Sequence, residues 1–178
     1  VRAADGALRW QFLTDGPIYS SAIISADGLT IFVGSDDHNL YAINAVDGAL
    51  KWEYATGEKV RSSPALEADG STVYVGSWES NGTLHAVHAS NGTRKWAFQT
   101  GSYIESSPAV GTDVVFVGSD DHKLYALSAS DGTLLWSYET GGQIEGSPAL
   151  SRDGSTVFIG SMDGKLYAVS TLDGTEMW

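Results

Sequence analysis

The 178-residue chain contains no cysteine, which removes disulfide frameworks, zinc–thiolate sites and cysteine nucleophiles from consideration together. It is poor in positive charge, with ten Lys and Arg against 22 Asp and Glu. The resulting formal charge of -12 repels phosphate backbones and anionic membrane surfaces, so nucleic acid is not an expected partner. Long apolar runs are missing as well. Stretches such as Thr156–Ser161 ("TVFIGS") fall far short of the roughly 20 residues that a membrane helix needs, so a soluble chain without membrane insertion is expected. No apolar period of 3.6 residues persists for a helix-length window, and no helix is predicted. The first residue is Val1, with no charged-then-apolar leader; the expectation is that a signal was removed or lies upstream of a fragment, in a periplasmic or extracellular protein.

What the chain does have is glycine, 21 residues of it against only four prolines, and a 42% apolar content sufficient for a core. The glycines recur at turn positions. Tryptophan sets the period: Trp10, Trp52, Trp96, Trp136 and Trp178 are separated by 42, 44, 40 and 42 residues. Four repeats fill a single domain over 1–178, with boundaries at about 10–52, 52–96, 96–136 and 136–178. Each repeat reads as four short strands. In the fourth these are Gly146–Ser151, Thr156–Ser161, Leu166–Thr171 and the terminal "EMW", with glycine turns between them.

Asp-Gly or Asn-Gly precedes each of the five tryptophans (Asp5-Gly6, Asp47-Gly48, Asn91-Gly92, Asp131-Gly132, Asp173-Gly174), and a second set follows the first strand (Asp27-Gly28, Asp69-Gly70, Asp153-Gly154). Both are expected to be two-residue hairpin turns, which demand positive φ. Length changes fall in turns too, a deletion at Gly111–Asp113 and a two-residue insertion within Ser77–Thr83. A 40–45-residue period of four strands signifies a β-propeller blade, so the predicted fold is an all-β propeller of four-stranded antiparallel blades with four repeats present. The five tryptophans are expected to wedge between blades, each indole N–H finding a carbonyl.

The unit Lys123–Leu150 ("KLYALSASDGTLLWSYETGGQIEGSPAL"), with Leu-Tyr-Ala-Leu, a glycine turn, Trp and Ser-Pro, and the Val73–Ser77 stretch "VYVGS" resemble the repeat of the pyrroloquinoline-quinone (PQQ)-like propeller family. The likeness covers essentially the whole chain. Neither the Gly-His and Trp-Asp pair of WD repeats nor the double glycine of kelch repeats is present. The family includes PQQ-dependent dehydrogenases that oxidise alcohols or sugars, and non-catalytic propellers of envelope assembly and sensing. The resemblance implies, for a dehydrogenase, a disulfide of adjacent cysteines over the quinone and a calcium ion held by Glu, Asn and Asp in long insertions. This chain has no cysteine and only short inter-strand loops, so the expectation is a non-catalytic scaffold binding a protein partner or itself, without cofactor; the alternative is a dehydrogenase segment using PQQ and calcium. Members of the family close with seven or eight blades. Because Val1–Trp10 aligns with Val169–Trp178, the expectation is a fragment, with a dimer of halves or a closed four-blade ring as alternatives.

Against a nearly constant background ("YSSA", "RSSP", "ESSP", "EGSP"), the residue leading into the innermost strand changes from Tyr19 to Arg61, Glu105 and Glu145. These four are candidates for the mouth of the axial channel or a partner surface. Trp78, in the longest turn, is the candidate exposed aromatic contact. Asp36-Asp37-His38 and Asp120-Asp121-His122 invite a metal reading, yet two carboxylates on a short turn do not supply the roughly six oxygens of a calcium site. The fourth repeat writes the triplet as Met162-Asp163-Gly164, which favours a turn in which Asp37, Asp121 and Asp163 accept backbone N–H bonds. His85 and His88 lie at odd spacing on one strand and are expected on opposite faces. Asn81 and Asn91 fit the N-glycosylation pattern, as any Asn-Gly-Thr turn does.

Overall fold

The computed structural model describes residues 4–78 and 81–178. Their strands form four antiparallel meanders in chain order. The first sheet holds β1 (Ile23–Ile24), β2 (Thr30–Gly34), β3 (Asn39–Asn44) and β4 (Leu50–Ala55); the second holds β5 (Ala65–Leu66), β6 (Thr72–Gly76), β7 (Thr83–His88) and β8 (Arg94–Gln99). The third holds β9 (Ala109–Val110), β10 (Val114–Gly118), β11 (Lys123–Ser128) and β12 (Leu134–Glu139). The fourth has three strands, β13 (Ala149–Leu150), β14 (Thr156–Gly160) and β15 (Leu166–Ser170), with a lone Val169–Glu176 bridge where its outer strand starts. No helix occurs among the described residues.

The glycine turns correct one expectation. Asn44 N–H donates to the Ala49 carbonyl (2.8 Å) and Gly48 N–H to that of Asn44 (2.9 Å), so four residues, not two, join β3 to β4. Gly48 sits at φ +78°, the left-handed position that ends such a turn, and the ladder then slips between Ala42 and Ile43. The same slip recurs between Ala86 and Val87 and between Ala126 and Leu127. Between β1 and β2 the Ser25–Thr30 connection is also four residues long, with Gly28 at φ +71°.

The core lies between blades rather than within them. Val73 and Val75 of β6 pack with Phe32, Leu40 and Ala42 of the first blade, while Tyr74 and Leu84 pack with Val115, Val117 and Tyr125 of the third. A strand buried on both faces reads as a continuous apolar run, and β6 is buried throughout. Each tryptophan but the last spans such an interface. The indoles of Trp10, Trp52, Trp96 and Trp136 donate to the carbonyls of Ala45, Ala89, Ala129 and Thr171 in the next repeat (3.0–3.1 Å). Trp178, the last residue of the sequence, lies with its ring 6.1 Å from that of Phe158 and is 63% exposed.

Serines draw the blades around the axis, two in each of the first three repeats and Ser147, after Gly146, in the fourth. Ser62 Oγ latches the inner strand to Gly76 of its own blade, donating to the carbonyl (3.1 Å) and accepting the N–H (2.7 Å). The next serine reaches its neighbour: Ser21, Ser63 and Ser107 N–H donate to the hydroxyls of Ser63, Ser107 and Ser147 (2.8–3.0 Å). The approach is tight enough that a Cβ added at Gly118 would overlap the Ile144 side chain of the following blade. At Gly160, on the fourth blade, an added Cβ meets nothing, and ring closure is not seen.

Candidate interaction rim

The turns between second and third strands and the segments entering the innermost strands form one end of the propeller. Within each blade they are stitched by a backbone bond: Asp36, Trp78, Asp120 and Met162 N–H donate to the carbonyls of Pro17, Lys59, Tyr103 and Gln143 (2.7–3.0 Å). Across blades, Val60, Ile104 and Ile144 N–H donate to Ser35, Ser77 and Ser119 of the preceding turn (3.0–3.3 Å). Each entering segment is therefore held between two turns. The residue after Val60, Ile104 or Ile144 follows directly on these bonds, so the repeat sets Arg61, Glu105 and Glu145 at the positions that correspond to Asp36, Trp78 and Asp120 of the preceding turn.

The first pairing is an ion pair. Arg61 Nε and Nη2 donate to the two oxygens of Asp36 at 3.2 and 3.0 Å, and only 8% of the Asp36 side chain is exposed. The guanidinium lies 3.9 Å from the Trp78 ring centroid and 4.9 Å from that of Tyr19. Trp78 in turn stacks on Tyr103, with centroids 5.0 Å apart and planes 24° from parallel. Lys59 Nζ is 5.5 Å from the Trp78 ring. Trp78 is thus half-buried between Arg61 and Tyr103, which corrects the expectation of a freely exposed aromatic; Tyr19, at 65% exposure, is the open ring. Glu79 and Ser80, which belong to the longer turn of the second repeat, lie outside the described residues.

The last pairing sets like charges together. Asp120 is pushed up to about 6, first by desolvation and then by the charges of Glu105, Glu145 and Asp121, with His122 opposing them. Its Oδ1 is buried without a hydrogen-bond partner among the described residues, and its Oδ2 has only a 3.5 Å contact from Gln143 Nε2. Met162 follows at the fourth blade, 64% exposed.

The doubled Asp-Asp-His triplets resolve into three separate tasks. The first Asp faces the rim. The second pins the turn: Asp37 and Asp121 accept the backbone N–H two residues on (3.1 Å each) and the hydroxyl of Tyr41 (2.8 Å) or Tyr125 (2.5 Å). They also accept the N–H of Asp15 (3.0 Å) or Gly101 (2.7 Å) in the segment entering the blade. Asp163 repeats this with Lys165, Tyr167 and Gly141. The histidine supplies the left-handed residue, His38 at φ +79° and His122 at φ +72°, where the fourth repeat uses Gly164. Among the described residues, no group of three or more His, Asp or Glu is placed to hold a metal ion.

In the second blade the residue of this column, Glu79, lies outside the described residues, and His85 stands where the other blades have tyrosine. Its Nδ1 meets the Tyr54 hydroxyl at 3.1 Å, its Nε2 is buried without a partner among the described residues, and burial, aided by Arg94, pushes it down to about 4. His88 faces the other way, into a shallow groove of about 380 Å³ at the opposite end of the first two blades. Asn81 and Asn91 are both exposed, and the Asn91 side-chain carbonyl accepts from Thr93 N–H (3.0 Å) and Oγ1 (2.8 Å).

Sequence reading singled out the leading residues but missed Asp36, Asp120, Lys59 and Tyr103 as their companions. The signal available was the constant offset between columns once the repeats are aligned. Arg61 and Glu145 each lie 25 residues after their partner, and Glu105 lies 27 after Trp78 because of the insertion.

Comparison with known proteins settles the lineage. The family model described as outer membrane protein assembly factor BamB matches residues 1–104 and again 66–178. The chain belongs to this family of PQQ-like repeats. Among solved structures it is similar to BamB from Moraxella catarrhalis, with a TM-score of 0.81 and 19% identity over 97% of this chain and 55% of that one. It is also similar to the computationally designed Ika4 protein, with a TM-score of 0.79 and 15% identity over 93% of this chain and 98% of that one. These likenesses concern the fold. The chain spans about half the length of the BamB structure it matches. No curated protein matches it. The family and the propeller architecture expected from the repeat are thereby shown, and no helix among the described residues is long and apolar enough to cross a membrane.

Proposed function

We propose that this chain is a non-catalytic binding propeller of the cell envelope, periplasmic or extracellular, which docks a protein partner on the rim. One observation carries the reading. Four repeats hold backbone, serine latches and tryptophan seams nearly constant while the paired rim positions change to Tyr19, Arg61–Asp36, Glu105–Trp78 and Glu145–Asp120. Side chains that differ where the scaffold repeats are free to serve recognition rather than folding. Membership in the family of an outer membrane assembly factor supports the same reading.

The rim does not suit the quinone chemistry of other PQQ-type propellers. PQQ is a tricarboxylate. The rim's one bidentate cation is already committed to Asp36, and the remaining half presents Glu105, Asp120 and Glu145, which repel an anion. No step is therefore assigned to a quinone or to calcium.

A photo-crosslinking residue placed at Tyr19 tests the docking face, with one at exposed Leu135 on an outer strand as comparison. The expected result is a discrete protein adduct at Tyr19, reproduced with the purified partner and absent at Leu135. Equal labelling at both positions, or stoichiometric retention of added PQQ and calcium with dye reduction by alcohols or sugars, would overturn the reading.

A further inference from the structure

We propose that the outer face of the fourth blade takes up the outer face of the first blade from a second copy of this chain, so that two copies close one ring. The inference concerns self-association and stands independently of the docking rim.

The chain contains this contact three times. At each internal seam Val60, Ile104 or Ile144 enters fully buried against a glycine of the preceding blade, so close that a Cβ added at Gly34, Gly76 or Gly118 would lie 2.2 Å from its side chain. Leu40, Leu84 and Leu124, which pair with those glycines in the ladder, have no exposure. The two outer faces hold the separated halves of the same contact. Ile18 stands where Val60, Ile104 and Ile144 stand in their repeats, one residue before each rim position, and is 46% exposed. Gly160 pairs with Leu166 as Gly118 pairs with Leu124, yet an added Cβ there meets nothing within 4 Å and Leu166 is 58% exposed. A knob and its matching hole are thus displayed at opposite ends of one array, and removing such apolar surface from water is favourable.

A strand completes the match. Residues 8–13 lie on the first blade as an outer strand lies on the blade that follows it: Phe12 meets Tyr41 edge-on at 5.3 Å, as Tyr138 meets Tyr167 at 5.6 Å, and the Trp10 indole bonds Ala45. They pair with no strand among the described residues. The fourth blade has the reverse lack. Its β15 is bonded to the following segment only from Ala168 to Ser170, whereas β11 is paired with β12 from Lys123 to Leu127. With Trp10 in the place of Trp178, Gln11, Phe12 and Leu13 of the second copy fall opposite Tyr167, Leu166 and Lys165. An open strand edge is a template for such an addition. Trp10 and Trp178 claim one position, so Glu176–Trp178 gives way to the incoming strand.

The ring takes two copies. This chain superposes on 55% of the BamB structure with a TM-score of 0.81, so two copies supply about the span of one such molecule. A closed pair satisfies both faces of both copies and leaves none open for further growth.

Sedimentation velocity and light scattering of the Val1–Trp178 polypeptide between about 1 and 100 µM test the proposal. The runs are made in about 0.15 M salt, which screens the charge of -12 on each copy. The expected mass is twice 18.8 kDa. Gly160→Val fills the hole with a side chain that the single copy has room for, so the urea midpoint should stay unchanged while dimerisation weakens about tenfold or more. Ile18→Asp should do the same from the other face. Leu135→Ser, at an exposed position of an outer strand, should leave dimerisation as it is, and a chain ending at Thr175 should dimerise more tightly because the competing residues are gone. A monomer at every concentration, a mass that keeps rising, a dimer indifferent to Gly160→Val or one weakened as much by Leu135→Ser overturns the proposal. So does loss of the dimer in the shortened chain. A monomer leaves the two faces to another occupant.

Discussion

On the first half of the rim, Arg61 from one blade meets Asp36 from the blade before it; on the second half, the same step of the repeat brings Glu145 to Asp120. The backbone bonds that place the two pairs are alike, Val60 N–H to Ser35 and Ile144 N–H to Ser119. Only the sign of one side chain differs. The first half satisfies itself, with both Asp36 oxygens bonded and the guanidinium stacked on Trp78, and so offers a rigid surface. The second half leaves its carboxylates in excess, which weakens the protein locally. The lesson is that a repeat scaffold can write an ion pair and a like-charge cluster with the same backbone geometry.

Charge reversal at the satisfied half should have the largest effect. Arg61→Glu leaves Asp36 largely buried beside a second carboxylate and strips the cation from Trp78, and a loss of about 3 kcal/mol in urea unfolding is expected. A loss below about 0.5 kcal/mol would mean that the two halves do not differ in the way described.

Acid unfolding sharpens the contrast, because a buried histidine and a partly buried aspartate act in opposite directions. His85 is held near 4 in the folded protein against 6.5 ordinarily, so the unfolded state takes up the proton first and stability falls as pH drops from about 6.5 to 4, by on the order of 2–3 kcal/mol. Asp120 is held near 6 against 3.8, so its contribution is present below pH 4 and is lost as pH rises through 6. Because Asp120 is partly solvated, screening reduces that contribution to about 1 kcal/mol. In His85→Gln, the fall in stability toward pH 4 should vanish and leave a small rise. Asp120→Asn should then raise stability at pH 7 by about 1 kcal/mol and change nothing at pH 4.

The smallest effect is the conversion of the second half into the first. Glu145→Arg should stabilise the protein by about 0.5 kcal/mol through a new pair with Asp120, measured as a shift in the urea midpoint at constant slope.

The architecture was legible in the sequence because spacing alone carries it: five tryptophans at near-equal intervals, glycine turns between short apolar stretches, and Leu-Tyr-Ala-Leu with Ser-Pro in register. Turn length was not, since Asp-Gly ends a four-residue turn with a bulge as readily as it makes a two-residue one. Of the rim, Tyr19, Arg61, Glu105 and Glu145 stood out by variation within a constant frame. Their partners did not, because Asp36 and Asp120 look like ordinary turn residues until the rotation from one blade to the next brings them beside a residue 25 positions later. The same rotation covers Trp78 with Arg61 and Tyr103. His85 was read only for the face it points to; its place in a tyrosine column, buried beside the Tyr54 hydroxyl, emerges from the packing.

Titration of the Asp120 side-chain carboxyl by carbon-13 NMR between pH 3 and 8 tests the central claim most directly. A midpoint near 6 that falls in Glu145→Gln is the predicted result. A midpoint at the ordinary aspartate value of about 3.9, insensitive to that substitution, would contradict it.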